Sequence, residues 1–166
     1  MKLSKIMERF DKSKRALKLR TKIQRGGVLS FPRKIAYNRI CDSLNCFVPP
    51  KVEIGENIIF PHGLTGIFIS QGAVIGDDCT IFHQVTIGSN TIEDSKAYGA
   101  PKIGNNVYIG AGAKIVGNVC VGNNVRIGAN AVVTIDIPDN TTVVMEKPRL
   151  ISHAYPLDNH FKSFKA

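Results

Sequence analysis

Residues 102–133 read KIGNNVYIGAGAKIVGNVCVGNNVRIGANAVV, and an aliphatic residue returns at every sixth position: Ile103, Ile109, Ile115, Val121, Ile127 and Val133. Upstream, the same spacing runs through Ile69, Ile75, Ile81 and Ile87. Gly commonly follows that residue (Gly76, Gly88, Gly104, Gly110, Gly122, Gly128), and a small or β-branched residue stands two before it (Ala73, Cys79, Val85, Val107, Ala113, Val119, Val125, Ala131). A period of six fits neither the roughly 3.6 residues of a helical turn nor the simple alternation of a strand. It fits a coil whose short straight sides each use one hexapeptide. The aliphatic side chain points inward and the small one fills the inside near a corner. Gly or Asn (Asn57, Asn105, Asn106, Asn118, Asn123, Asn124) takes the turn. A β sandwich would instead give alternation, with turns every 8–12 residues or about that.

On these repeats the chain resembles the hexapeptide-repeat acyltransferases over residues 48–150. The resemblance implies an all-β main domain, a left-handed parallel β-helix of triangular section with three hexapeptides to each turn. The hand comes from the resemblance alone, because general crossover rules favour the opposite one.

The repeat breaks twice. Sixteen residues separate Ile87 from Ile103, so SNTIEDSKAYGAP (89–101) must leave the coil as a polar loop, which is expected to move. Nine residues separate Phe60 from Ile69, which places three extra residues in PHGLTG (61–66). Counting faces puts Phe60, Ile81 and Ile109 on one side of the triangle and stacks His83 one coil above His62. Three segments follow: a helical stretch 1–46, the coil 47–149 with loop 89–101 extruded, and a tail 150–166. In the first, Leu3, Ile6, Met7, Phe10 and Leu17 are expected to form the apolar stripe of a helix ending at Gly26-Gly27, with a second helix starting near Pro32.

Charge is uneven. Residues 1–40 hold thirteen Lys and Arg against Glu8 and Asp11, whereas 41–166 hold nine basic against eleven acidic residues. Such a segment attracts anionic surfaces, or serves simply as a solvated helix face. No run approaches the roughly 20 apolar residues that span a bilayer. Cys41, Cys46, Cys79 and Cys120 form no CxxC pair, so no zinc site or disulfide framework is signalled. A cytoplasmic setting is expected, with peripheral contact at the inner membrane face through the basic segment, and no nucleic-acid partner.

Moving an acetyl group from a thioester to a hydroxyl needs a base for the hydroxyl proton and a donor for the oxyanion. Four histidines are available; His153 and His160 lie in the tail and His62 and His83 in the coil. PHGLTGIFISQGAVIGDDCTIFHQVTIG (61–88) resembles the segment of serine acetyltransferases that begins with their catalytic His, which His62 matches. That resemblance implies His62 as general base and His83 and Gln84 at the acceptor. It also implies acetyl-CoA held at Ser89, Ala111 and Ala129, Lys147 and Arg149 at its phosphates, no metal, and a homotrimer with sites between subunits. The chain departs from those enzymes at Pro61, Phe47 and Ala100, where they carry Asp, Asp and His. CFVPP (46–50) and APKIG (100–104) are instead similar to small relatives tied to bacterial capsule, exopolysaccharide and lipopolysaccharide synthesis.

The resulting expectation is a sugar O-acetyltransferase. Serine O-acetylation in cysteine biosynthesis and a non-catalytic β-helix scaffold are the alternatives. A γ-type carbonic anhydrase would need three zinc-binding His, and the coil has two.

Overall fold

The computed structural model describes residues 3–156, with side chains from Met7 onward. Helices α1 (Leu3–Gln24) and α2 (Ser30–Ser43) precede twelve short strands. These are β1 (Glu53–Ile54), β2 (Phe68–Ile69), β3 (Val74–Ile75), β4 (Thr80–Ile81), β5 (Thr86–Gly88), β6 (Lys102–Ile103), β7 (Tyr108–Ile109), β8 (Lys114–Val116), β9 (Cys120–Val121), β10 (Arg126–Ile127), β11 (Val132–Val133) and β12 (Thr142–Val143). Each is short because a hexapeptide turns a corner after two or three extended residues.

The strands form three parallel sheets, ordered β1-β3-β6-β9, β12-β10-β7-β4 and β11-β8-β5-β2. Consecutive strands in sequence never pair, so the chain visits each face once per turn. The register stacks like on like: Ile81 on Ile109 on Ile127, and Ile69 on Ile87 on Ile115. Ile81, Ile87, Ile109, Ile115 and Ile127 are all fully buried, each contributing about 1.5–3 kcal/mol of burial.

One corner is a polar ladder. Asn57, Asp78, Asn106, Asn124 and Asn140 are left-handed there, with φ between 54° and 58°. Asn106 Nδ2 donates to Asn124 Oδ1 (2.9 Å), and Asn124 Nδ2 to Asn140 Oδ1 (3.0 Å). The residues just before them, Asp77, Asn105, Asn123 and Asp139, each accept a backbone N–H from the coil below at 2.7–2.8 Å. Turn amides that strand pairing leaves over are thereby satisfied. At Asn118 the left-handed role falls to neighbouring Gly117 (φ 92°).

Loop 89–101 is tied at its base. Asn90 and Gly99 exchange backbone hydrogen bonds at 2.8 and 3.0 Å, and Asn118 N–H donates to Ala97 O. Its tip exposes Ile92.

The helix α1 lies against the first coil on a different face from the one its apolar spacing predicts. Met7 is 62% exposed, while Ser13, Ala16, Arg20 and Ile23 are buried; Phe10 and Leu17 are half-buried. The side chains of Leu3 and Ile6 lie outside the described residues. Two polar residues decide this face because the coil offers them partners. Ser13 Oγ accepts from Leu64 N–H (2.9 Å), and the Arg20 guanidinium donates to Val52 O. Burial holds the pKa of Arg20 below its ordinary value, and its Nε has no partner among the described residues. The second helix is anchored by Tyr37, whose hydroxyl donates to Val48 O. No described helix is long and apolar enough to cross a membrane.

Candidate active site

The register gathers widely spaced residues into one column. Ile59 bridges Thr80, and Ile81, Ile109 and Ile127 are stacked, so His62, His83, Ala111 and Ala129 fall at one level of four consecutive coils. The rings of His62 and His83 meet: Nδ1 to Nδ1 is 2.7 Å, with centroids 4.7 Å apart. The rings of Phe82 and His62 stand perpendicular with centroids 5.4 Å apart, and Phe82 packs on Tyr108 at 5.1 Å. An Nδ1–Nδ1 contact leaves the Nε2 atom of both rings outside the pair. His62 is exposed and His83 half-buried.

The irregular corner that carries His62 is built from below and above. Gly63 (φ 66°) faces α1 so closely that a Cβ there would stand 2.5 Å from Ser13 Oγ. Leu64 and Ile67 fill the coil and are fully buried. Gly66 (φ 67°) sits beneath Gln84, with room for a Cβ only 3.1 Å from Gln84 Cγ. Gln84 is itself left-handed (φ 59°), and its N–H donates to Thr65 O at 3.1 Å. Lys114 Nζ then bridges the carbonyls of Gln84 (2.8 Å) and Gly112 (3.0 Å), fixing the corner beside His83.

Ala111 and Ala129 continue the column with side chains no larger than a methyl. Space here is tight at the backbone: a Cβ at Gly110 would stand 2.6 Å from Ala129 N. Ala111 O accepts from Asn130 N–H (2.8 Å). Val143 pairs with Ile127, so the chain leaves the top of this face just before exposed Lys147 and Arg149. Ser89 is elsewhere. It follows β5 and lines a groove of about 280 Å³ with Phe47, Phe68 and Thr86, one face of the triangle away from the histidines. His153 is exposed near Tyr155, and His160 lies outside the described residues. Among the described residues, no three His, Cys, Asp or Glu side chains come together as a metal would require.

Sequence reasoning missed Ser13, Thr65, Phe82 and Lys114. Thr65 Oγ1, three residues after His62, is buried without a partner among the described residues. Its place in PHGLTG was the available signal; the partners of Ser13 and Lys114 are backbone groups that no pattern announces.

Residues 100–134 match the family described as bacterial transferase hexapeptide (six repeats). The hexapeptide coil is a left-handed β-helix, the fold of the serine acetyltransferases it resembles. The chain is 43% identical over 105 residues to a serine acetyltransferase of Helicobacter pylori, covering 63% of this chain and 60% of that one. It is 46% identical over 114 residues to the chloroplastic serine acetyltransferase 1 of Arabidopsis thaliana, covering 69% and 35%. Among solved structures, the Neisseria gonorrhoeae serine acetyltransferase in complex with serine superposes with a TM-score of 0.65 at 33% identity, covering 80% of this chain and 55% of that one. A serine acetyltransferase in complex with CoA does so at 0.57 and 35%, covering 68% and 44%. The chain thus spans between about a third and three fifths of these proteins' lengths. These relatives are named serine acetyltransferases, and the surface-polysaccharide expectation drawn from CFVPP and APKIG gains no support from them.

Proposed function

We propose that this chain is an acetyl-CoA-dependent O-acetyltransferase with His62 as general base and the hydroxyl of serine as acceptor. The observation that carries the reading is the His62–His83 pair at the foot of a column of small residues. In this reaction Nε2 of His62 takes the hydroxyl proton as the oxygen attacks the thioester carbonyl. Collapse of the tetrahedral adduct breaks the C–S bond, and the departing thiolate recovers the proton from Nε2.

A free lone pair on Nε2 requires the other ring proton on Nδ1. That Nδ1–H then donates to Nδ1 of His83, which must carry its own proton on Nε2. His83 therefore does for His62 what a carboxylate does in many acid–base pairs, as an orienting acceptor. It leaves its own Nε2–H free to donate to the acceptor, alongside Gln84. Acetyl-CoA is assigned to the column, its pantetheine arm along Ala111 and Ala129, with Ser89 from a neighbouring subunit and Lys147 and Arg149 toward its phosphates. This assignment calls for a homotrimer, because Ser89 lies a face away from His62 within one subunit.

A sugar hydroxyl is the second reading, and one observation favours it. The side chains against His62 are Phe82 and His83, neither of them the carboxylate that the ammonium group of serine calls for. Thiol release from acetyl-CoA, measured with L-serine, with a panel of sugars and with no acceptor, tests both. Release stimulated by serine and lost in His62→Asn is expected. Sugar-stimulated release would exchange the acceptor, and release with no hydroxyl acceptor at all would overturn the reading.

A further inference from the structure

The turn between α1 and α2 (Val28, Leu29) and the start of α2 (Phe31, Ile35) carry apolar side chains that the protein's own core does not use. Val28 is 99% exposed, Phe31 71%, Leu29 57% and Ile35 42%. Exposed Lys22, Arg25 and Lys34, with half-buried Arg33, surround them, and no acidic residue occurs between Lys22 and Ile35. Gly26 and Gly27 are left-handed (φ 73° and 100°), and nothing stands within 4 Å of where a Cβ would be on either.

We propose that this tip docks on an anionic lipid bilayer, with Val28, Leu29 and Phe31 entering the headgroup boundary and the Lys and Arg side chains engaging lipid phosphates. A cluster of large apolar groups at the apex of a turn, rimmed by cations, has the arrangement of interfacial binding. Both parts are needed to choose the occupant. Nucleic acid would use the cations and leave Val28 and Phe31 in water. A second copy related by a two-fold axis would bring an equally basic tip against this one, and like charges across an interface oppose it. The inference stands independently of the transferase reading.

The test is flotation of the full chain with vesicles of phosphatidylethanolamine and phosphatidylglycerol, compared with phosphatidylcholine alone. Binding to the anionic vesicles, weakened by salt, is expected. Val28→Ser with Phe31→Ser, and separately Arg33→Gln with Lys34→Gln, should each weaken it by about tenfold or more. An unchanged far-ultraviolet circular dichroism spectrum confirms that each variant is folded. No binding at low salt would overturn the proposal, as would undiminished binding by the Val28→Ser, Phe31→Ser variant. So would concentration-dependent self-association without lipid that the same variant abolishes, since the tip would then be an interface between copies.

Discussion

The coil from Ile67 to Ile137 and the corner at 61–66 are made of the same chain under opposite rules. Outside loop 89–101, each hexapeptide of the coil turns one aliphatic residue inward, its strands pair with the coils above and below, and successive turns repeat. At the corner three extra residues break that repetition: Ser13 from α1 and the N–H of Gln84 hold its backbone, and the ring of His83 meets the His62 side chain. The regular region supplies rigidity and register; the irregular one carries the imidazole that the register stacks on His83. Substitutions should therefore separate into those that cost stability and those that cost turnover.

The largest effect is expected at His62. His62→Ala should lower turnover by about two to four orders of magnitude, the usual worth of a positioned general base, while leaving the melting temperature and CoA affinity near wild type. Steady-state kinetics with the true acceptor, beside a melting curve, checks it. The reverse pattern is expected in the coil, where Ile115→Ala should cost about 2–5 kcal/mol in denaturant unfolding for the cavity it opens.

Gly63→Ala probes the boundary between the two regions. Its left-handed backbone and the 2.5 Å approach to Ser13 Oγ should cost about 1–3 kcal/mol, with a loss of turnover larger than that of a coil variant of equal stability. Equal losses would mean that the corner is only scaffold.

The smallest effect concerns Tyr37. Burial raises its phenol well above the ordinary value of 10.0, with the thiols of Cys41 and Cys46 adding to the shift. A group whose native pKa is raised contributes stability that is complete below about pH 10 and lost as pH climbs toward the native value. Tyr37→Phe should cost about 1 kcal/mol at neutral pH for the lost bond to Val48 O, and should flatten the alkaline decline. Urea midpoints between neutrality and high pH measure both.

Much of this division is legible in the residues. The six-residue period dictates the inward stack and the short sides, and the nine-residue gap before Ile69 marks the corner. Face counting alone brings His83 over His62. The buried face of α1 is not legible, because apolar spacing favours Met7 whereas the structure buries Ser13 and Arg20 against carbonyl and amide groups more than thirty residues away. Long-range backbone partners leave no periodic trace. Ser89 shows the same limit: its place after a Gly is readable, but its distance of one triangle face from His62 depends on where the loop leaves the coil. Resemblance at CFVPP and APKIG suggests a sugar, whereas the matched relatives are named serine acetyltransferases. The acceptor is chosen by a few side chains around the corner, and the repeats are silent about them.

Proton removal by His62 depends on which of its ring nitrogens carries the proton. Nitrogen-15 spectra of the imidazoles, assigned through His62→Asn and His83→Gln, read this directly at neutral pH. A His62 ring protonated at Nδ1 and bare at Nε2, changing when His83 is replaced by Leu but retained with Gln, is the predicted result. A His62 ring protonated at Nε2 in the wild-type protein would contradict it.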